Sequence, residues 1–369
     1  MKNNPLDDIV KCNIDISSPA SNDVTFNSIL LVVAGPISGE GKKTDKVFAV
    51  SQAETLLDYG YTEDEPAFVA ARIAFAQNPA PESLFMCVRR KTSVEGAADV
   101  TFEDITLTLN RAESESNFYG VHLTGFSNEE DIQKTAEWVA GKEKIFGFEY
   151  TDLENFPLEN NDYYRTFAIF SGNADGYKEN EQPKNNRYMA LAWMANCFGY
   201  EPGSETWHLK ELADVYPSYI SDMNKLELEE KNINSFRMYA GKNVTFGGKM
   251  ISGEWIDTIR FRDWLKNEMQ FNVFRAIQSN RKIPFTDAGI GLIEGKMEET
   301  LKKGQDIGGI APTVYDDDGN PVYGYSVKVP RAIDLSEKER HSRKLTGCRY
   351  SARLAGAIHA VEIHGNLTF

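Results

Sequence analysis

The run SILLVVAG, residues 28–35, decides the fold. Ile29 to Ala34 are all apolar, with no alternation. A strand that reads this way has both faces covered, as in a parallel sheet packed between helices. The sequence outward supports that reading. Ser51 and Glu54 have the spacing of a capping box before Leu56 and Leu57, and Gly60 closes that helix. Pro66 opens a second helix with Phe68, Ala71 and Phe75 on one stripe, and Asn78-Pro79 stops it. LFMCV, residues 84–88, is the next strand, completing a β-α-α-β unit over residues 21–95.

The alternation continues beyond a small, polar stretch at residues 92–100. DITLTL alternates, which predicts a strand over 104–109, and YGVHLTG, 119–125, predicts another. Ser127 and Glu130 cap a helix carrying Ile132, Ala136 and Val139, which Gly141 ends. IFGFEY and TFAIFS read as strands on either side of an acidic loop, and NNRYMALAWMANCF, 185–198, as an apolar helix. A body over 96–240 is followed by a last third that begins with FRMYA and NVTFGGKMI, an antiparallel pair around Gly247-Gly248. A part over 241–355 is different. One long helix covers about 255–278, with Phe261, Trp264, Leu265, Met269, Val273 and Ile277 on one side. A second covers about 286–303, with Ile290, Ile293, Met297 and Leu301 inward and Lys302-Lys303 before a closing Gly304. DDDGNP is a turn, YGYSVKV a strand and EKERHSRK a charged stretch. Strands alternating with helices define a mixed α/β (α+β) class with a partly parallel sheet.

Composition narrows the function. With 369 residues, two domains are the expectation. The 55 acidic side chains against 40 basic leave a net charge of −15, which disfavours nucleic acid and anionic membrane surfaces as partners. Cys12, Cys87, Cys197 and Cys348 are scattered in apolar stretches and read as reduced, buried thiols. MKNNPLDDIV lacks an apolar signal core, and no stretch approaches a membrane span.

Chemical motifs are few. GPISGEGKKT, 35–44, follows a buried strand as a phosphate-binding loop does, but five residues separate Gly35 from Gly41 instead of four, and Lys43 displaces the hydroxyl that would hold magnesium. GIGLIEG, 289–295, has its third glycine one place late and sits in a helical pattern. Trp255 and Trp264 recur at helical spacing and read as core. Glu362 and His364 share one strand face, with His359 on the other, and a metal site wants three or four converging ligands. No nucleophile elbow appears. Cofactors, metals and catalytic residues are therefore expected to be none.

The two ends carry the strongest signal. In AIHAVEIHGNLTF, 357–369, Val361, Ile363, Leu367 and Phe369 fall on one face. IVKCNIDI, 9–16, places Val10, Cys12, Ile14 and Ile16 on one face, followed by the linker SSPASND. Burying the four C-terminal apolar side chains would contribute on the order of 6–12 kcal/mol at most. One reading is a strand of the chain's own sheet. The other is an arm (1–20 and 356–369) that pairs with the edge of a second subunit, so that copies join head to tail.

The order of these elements resembles contractile tail sheath proteins of bacteriophages and related injection machines. The similar stretches are SILLVVAG, AETLLDYGY, PAFVAARIAFAQNP, LFMCVRR, FYGVHLTGFSNEEDIQKTAEWVAG, GYSVKVP and LAGAIHAVEIHGNLTF. The resemblance implies a sheath-like α/β body with extended terminal strand arms and no enzymatic activity. It implies a virion-tail protein assembled in the host bacterial cytoplasm, stacked as hexameric rings in a helical sleeve around a tail tube protein, with baseplate and terminator proteins as further partners. Contraction of the sleeve would drive the tube through an envelope. Two alternatives remain at this point: a nucleotide-binding enzyme using the 35–44 loop, and a non-contractile virion subunit.

Overall fold

The computed structural model describes residues 26–34, 46–92, 101–126, 128–158, 162–178 and 183–365. Its contacts divide the chain into two compact units, 1–271 and 272–369. The first is built on an eight-stranded sheet of β1 (Ser28–Val33), β2 (Phe48–Val50), β3 (Ser83–Val88), β4 (Gly120–Thr124), β5 (Ile145–Tyr150), β6 (Thr166–Phe170), β7 (Asn234–Tyr239) and β8 (Lys242–Phe246), in the spatial order β2-β3-β1-β4-β5-β6-β7-β8. The six inner strands run parallel, and β2 and β8 close the edges antiparallel. All six residues of β1 are buried, as its unbroken apolar run requires.

Helices cover both faces. Val121 and Leu123 of β4 join a core cluster with Leu30, Val32, Phe146 and Phe148 of neighbouring strands, under α3 (Ile105–Glu115) and α4 (Glu129–Ala140). The alternate residues of β4 point to α5 (Met189–Phe198), a fully buried helix that follows a 3-10 turn at Lys184–Tyr188. A Cβ on Gly120 would overlap Met194 and Phe198 of α5, so the close approach of helix to strand there needs glycine. α1 (Thr55–Asp58) and α2 (Pro66–Phe75) lie in the same unit, and Pro66 occupies the first turn of α2 as expected.

Several expectations are corrected. The stretch 104–109 is the start of α3, not a strand: Asp104 caps it by accepting from the Thr106 N–H, and Ile105, Thr108, Leu109 and Ala112 are buried at helical spacing. Ser51 and Glu54 form no capping box, because Glu54 is itself helical and makes no side-chain cap bond. α4 is capped by Asn128 through the Asp131 N–H, while Ser127 lies outside the described residues. The β7–β8 hairpin turns at Ala240-Gly241, both at positive φ, rather than at Gly247-Gly248. Cys87 and Cys197 are free and buried, but Cys348 is only half-buried, and Cys12 lies outside the described residues.

The helix α7 (Ile256–Ser279) begins in the first unit and ends in the second. Phe261, Trp264, Leu265, Met269 and Val273 are buried as the pattern demands, but Ile277 and Trp255 are exposed. Lys249 sits over the Trp255 ring, 5.5 Å from its centroid. The second unit continues with α8 (Asp287–Asp306), β9 (Val314–Tyr315), β10 (Pro321–Val322), β11 (Tyr325–Lys328), α9 (Glu337–Ser342) and β12 (Arg349–Ala352). Thr286 caps α8, and the helix runs two residues past Gly304, which is buried inside its last turn instead of ending it. A Cβ on Gly289 would overlap the Pro284 carbonyl, a structural reason for the first glycine of the 289–295 run.

Candidate subunit-joining surface

The second unit holds two small antiparallel sheets, β9–β10 and β11–β12. In the second, Tyr325 faces Ala352 and Val327 faces Tyr350, and these four are half-buried, while Ser326, Lys328, Arg349 and Ser351 are exposed. Among the described residues β11 and β12 pair only with each other, so each has an outer edge without a strand neighbour. Such edges present unpaired backbone groups that a further strand can complete. The chain leaving β12 is tied down briefly. Arg353 donates its backbone N–H to the Gly324 carbonyl at 2.8 Å, Ala355 donates to Gly309 at 3.1 Å, and Leu354 bridges Ile310. A Cβ on Gly324 would overlap the Ala311 carbonyl, so this crossing needs glycine.

Residues 356–365 belong to no strand, and Ile358, Val361 and Ile363 are 86%, 73% and 85% exposed. Glu362 and His364 lie 3.2 Å apart on one side of the backbone, as alternation requires, and both are exposed. Leu367 and Phe369 lie outside the described residues, as do Val10, Cys12, Ile14 and Ile16 and the whole loop 35–44. Of the eight arm residues, the structure therefore describes Val361 and Ile363 alone, and it leaves both uncovered by their own chain.

The first unit contains groups that the sequence did not nominate. On α7, Arg260, Asp263 and Lys266 are spaced by three and all buried. Asp263 accepts two bonds from Arg165, at 2.7 and 2.9 Å, and one from the Tyr119 hydroxyl at 2.8 Å. Burial pushes the Asp263 carboxyl up, and the Arg165 guanidinium with its hydrogen bonds outweighs that, leaving it below its ordinary value. Arg260 pairs with Glu205 and also donates to the Cys197 and Phe26 carbonyls, and Lys266 pairs with Glu143. Burial raises the Glu205 and Glu143 carboxyls against the pull of those cations. Phe26, Tyr119, Glu143 and Arg165 lie just before β1, β4, β5 and β6, so α7 is fastened by ion pairs along the amino-terminal edge of the parallel sheet. These groups build the scaffold. The signal that would have found them is the three-residue spacing of charges among apolar residues.

A second buried trio sits on β4. His122 lies 3.1 Å from the Thr124 hydroxyl and 3.2 Å from the Glu149 carboxylate, which accepts the Ala190 N–H at 2.7 Å. His122 and Thr124 are buried and Glu149 of β5 is half-buried, and the trio joins the sheet to α5. Among the described residues no group of three or more His, Cys, Asp or Glu side chains could hold a metal ion, and no helix is long and apolar enough to cross a membrane.

Comparison with known proteins finds likenesses to part of the sequence and to the fold. Residues 256–367, from α7 to the C-terminal segment, match the family model described as E217 tail sheath protein gp31-like, C-terminal domain. No curated protein matches the chain in sequence. Among solved structures, a chain of the anti-feeding prophage baseplate has a TM-score of 0.63 at 14% identity, covering 98% of each chain. The sheath of an extracellular contractile injection system in its contracted state has a TM-score of 0.63 at 11% identity, covering 96% of this chain and 97% of that one. A crystal structure of the sheath tail protein from Desulfitobacterium hafniense has a TM-score of 0.54 at 10% identity, over 86% and 93%. At such identities the likeness is one of fold. Residues 256–367 thus match a tail sheath C-terminal domain model, and the chain as a whole shares the fold of these sheath and injection-system structures.

Proposed function

We propose that this chain is the structural subunit of a contractile tail sheath, polymerising around a tail tube and contracting to drive the tube through a bacterial envelope. The family match over residues 256–367 carries the reading. Its role is mechanical rather than catalytic. Copies stack as hexameric rings in a helical sleeve on a tail tube protein, between baseplate and terminator proteins, and the sleeve is assembled in the bacterial cytoplasm as part of a tail.

The arms join the copies. Residues 1–20, through Val10, Cys12, Ile14 and Ile16, and residues 356–369, through Val361, Ile363, Leu367 and Phe369, add as strands to the sheets of neighbouring subunits, with β11–β12 as the acceptor. Backbone hydrogen bonds supply the affinity, and the alternating apolar face sets the register. The exposed Val361 and Ile363 and the two-stranded β11–β12 sheet favour this over an intrachain strand. Contraction is then a repacking of bodies while the arm pairings persist. Negative-stain microscopy of the purified chain across a concentration series tests the reading. Hollow, striated tubes of uniform diameter are expected. Dispersed particles at every concentration, with or without tail tubes as template, would overturn it.

A further inference from the structure

A cavity of about 120 Å³ lies between α6 (Asp222–Glu230) and the β7–β8 hairpin. Its described lining sets three cations, Lys225, Arg237 and Lys249, against one carboxylate, Glu229. The Arg237 guanidinium lies flat over the Phe246 ring, its central carbon 3.6 Å from the ring centroid. Stacking satisfies the face of a guanidinium and leaves its edge N–H groups to find acceptors. The Arg237 Nε is buried with no hydrogen-bond partner. A buried donor left this way bears its full desolvation cost until an acceptor arrives. The amide of Asn234, also in the lining, is already committed: it donates to Ala168 and Lys249 carbonyls and accepts from the Gly248 and Lys249 N–H groups.

We propose that this cavity is a docking socket for an Asp or Glu side chain of a second copy of the chain, held by the edge of the Arg237 guanidinium. A carboxylate is the acceptor whose two oxygens match that edge. The chain itself supplies the partner in excess, with 55 acidic against 40 basic side chains. The inference rests on the assembly reading above and deepens it: it names one contact made by the bodies rather than by the arms.

The test compares the full chain with R237Q and R237K. Sedimentation gives the lowest concentration at which each assembles, and thermal melting tests the fold. R237Q is expected to raise that concentration at least about 30-fold, the loss typical of truncating one partner of a desolvated charge pair. Its melting temperature is expected to change little, because among the described residues Arg237 makes no salt bridge and loses only its stacking on Phe246, and R237K recovers part of the assembly. R237Q tubes forming at the parental concentration would overturn the socket and leave the sheath reading intact. A parental chain that never assembles would overturn both. Sodium acetate or inorganic phosphate that raises the parental melting temperature while R237Q assembles normally would reassign the cavity to a free anion.

Discussion

Replacing Asp263 by Asn should cost the protein a large share of its stability, though it exchanges one heavy atom and hardly changes the volume. Asp263 is 2% exposed and holds Arg165 by two hydrogen bonds and Tyr119 by one. Arg165 is equally buried, and its Nε already lacks a partner. The amide keeps one acceptor but removes the charge, so a guanidinium is stranded in the interior. Breaking a buried pair in this way costs about 3–5 kcal/mol, against the 5–15 kcal/mol total typical of a folded protein. The control is Asp214→Asn. It makes the same charge change in the Arg72–Asp214 pair, 2.6 Å long against 2.7 Å but with side chains 45% and 40% exposed. Surface pairs of this kind contribute about 0–1 kcal/mol. Urea unfolding of the unassembled chain measures both. A D263N loss within about 1 kcal/mol of the D214N loss would refute the view that α7 is fastened by charge. The sign with pH follows. Asp263 is held below its ordinary value of 3.8, so its contribution is present above that pH and is lost as pH falls through the folded value. Glu143 and Glu205 run the other way, because burial raises them: the stability tied to their protonated forms falls as pH rises above 4.5. The substitution is therefore a cleaner test than an acid titration.

Three further outcomes are expected. Asp104 caps α3 and accepts a hydrogen bond from Lys134, which with the Thr106 bonds holds its carboxyl at about 2. D104A should cost about 1 kcal/mol in urea unfolding and D104N much less, since Asn caps nearly as well, and the ionic part should fade between pH 3.8 and about 2 as pH falls. Gly147 on β5 lies directly across from Phe167 on β6, whose ring occupies the space a Cβ would need. G147A should cost about 1–3 kcal/mol, read from the same unfolding curves. Removing residues 358–369 should leave the melting temperature unchanged, because Ile358, Val361 and Ile363 are exposed, while tube formation is lost; an unfolded truncated chain would show that the segment belongs to its own subunit's core.

How much the sequence revealed depended on how local the signal was. The buried strands β1, β3, β5 and β6 were legible because continuous apolar runs have one common use in an α/β layer. The misread stretch at 104–109 shows the limit. Ile105, Leu107 and Leu109 alternate, but Ile105, Thr108, Leu109 and Ala112 also fall on one helical stripe, and a six-residue window contains both patterns. The buried stripe and the 59% exposed Leu107 settle it as a helix. The hairpin turn at Ala240-Gly241 was hidden because alanine rarely takes positive φ, so the glycine pair at 247–248 drew attention instead. The partners of the α7 charges were illegible for another reason. Arg165 and Tyr119 meet Asp263 across 98 and 144 residues, and only the strand order brings them to one edge. The arm residues read clearly as strand-forming, but periodicity cannot say whose sheet a strand joins.

That question is best answered by a helical cryo-microscopy reconstruction of tubes assembled from the full chain. The expected result is density for residues 9–16 and 357–369 running as added strands beside β11–β12 of neighbouring subunits, with Val361, Ile363, Leu367 and Phe369 on the covered face. Density showing either segment folded into its own subunit's sheet, in tubes or in dispersed particles, would contradict it.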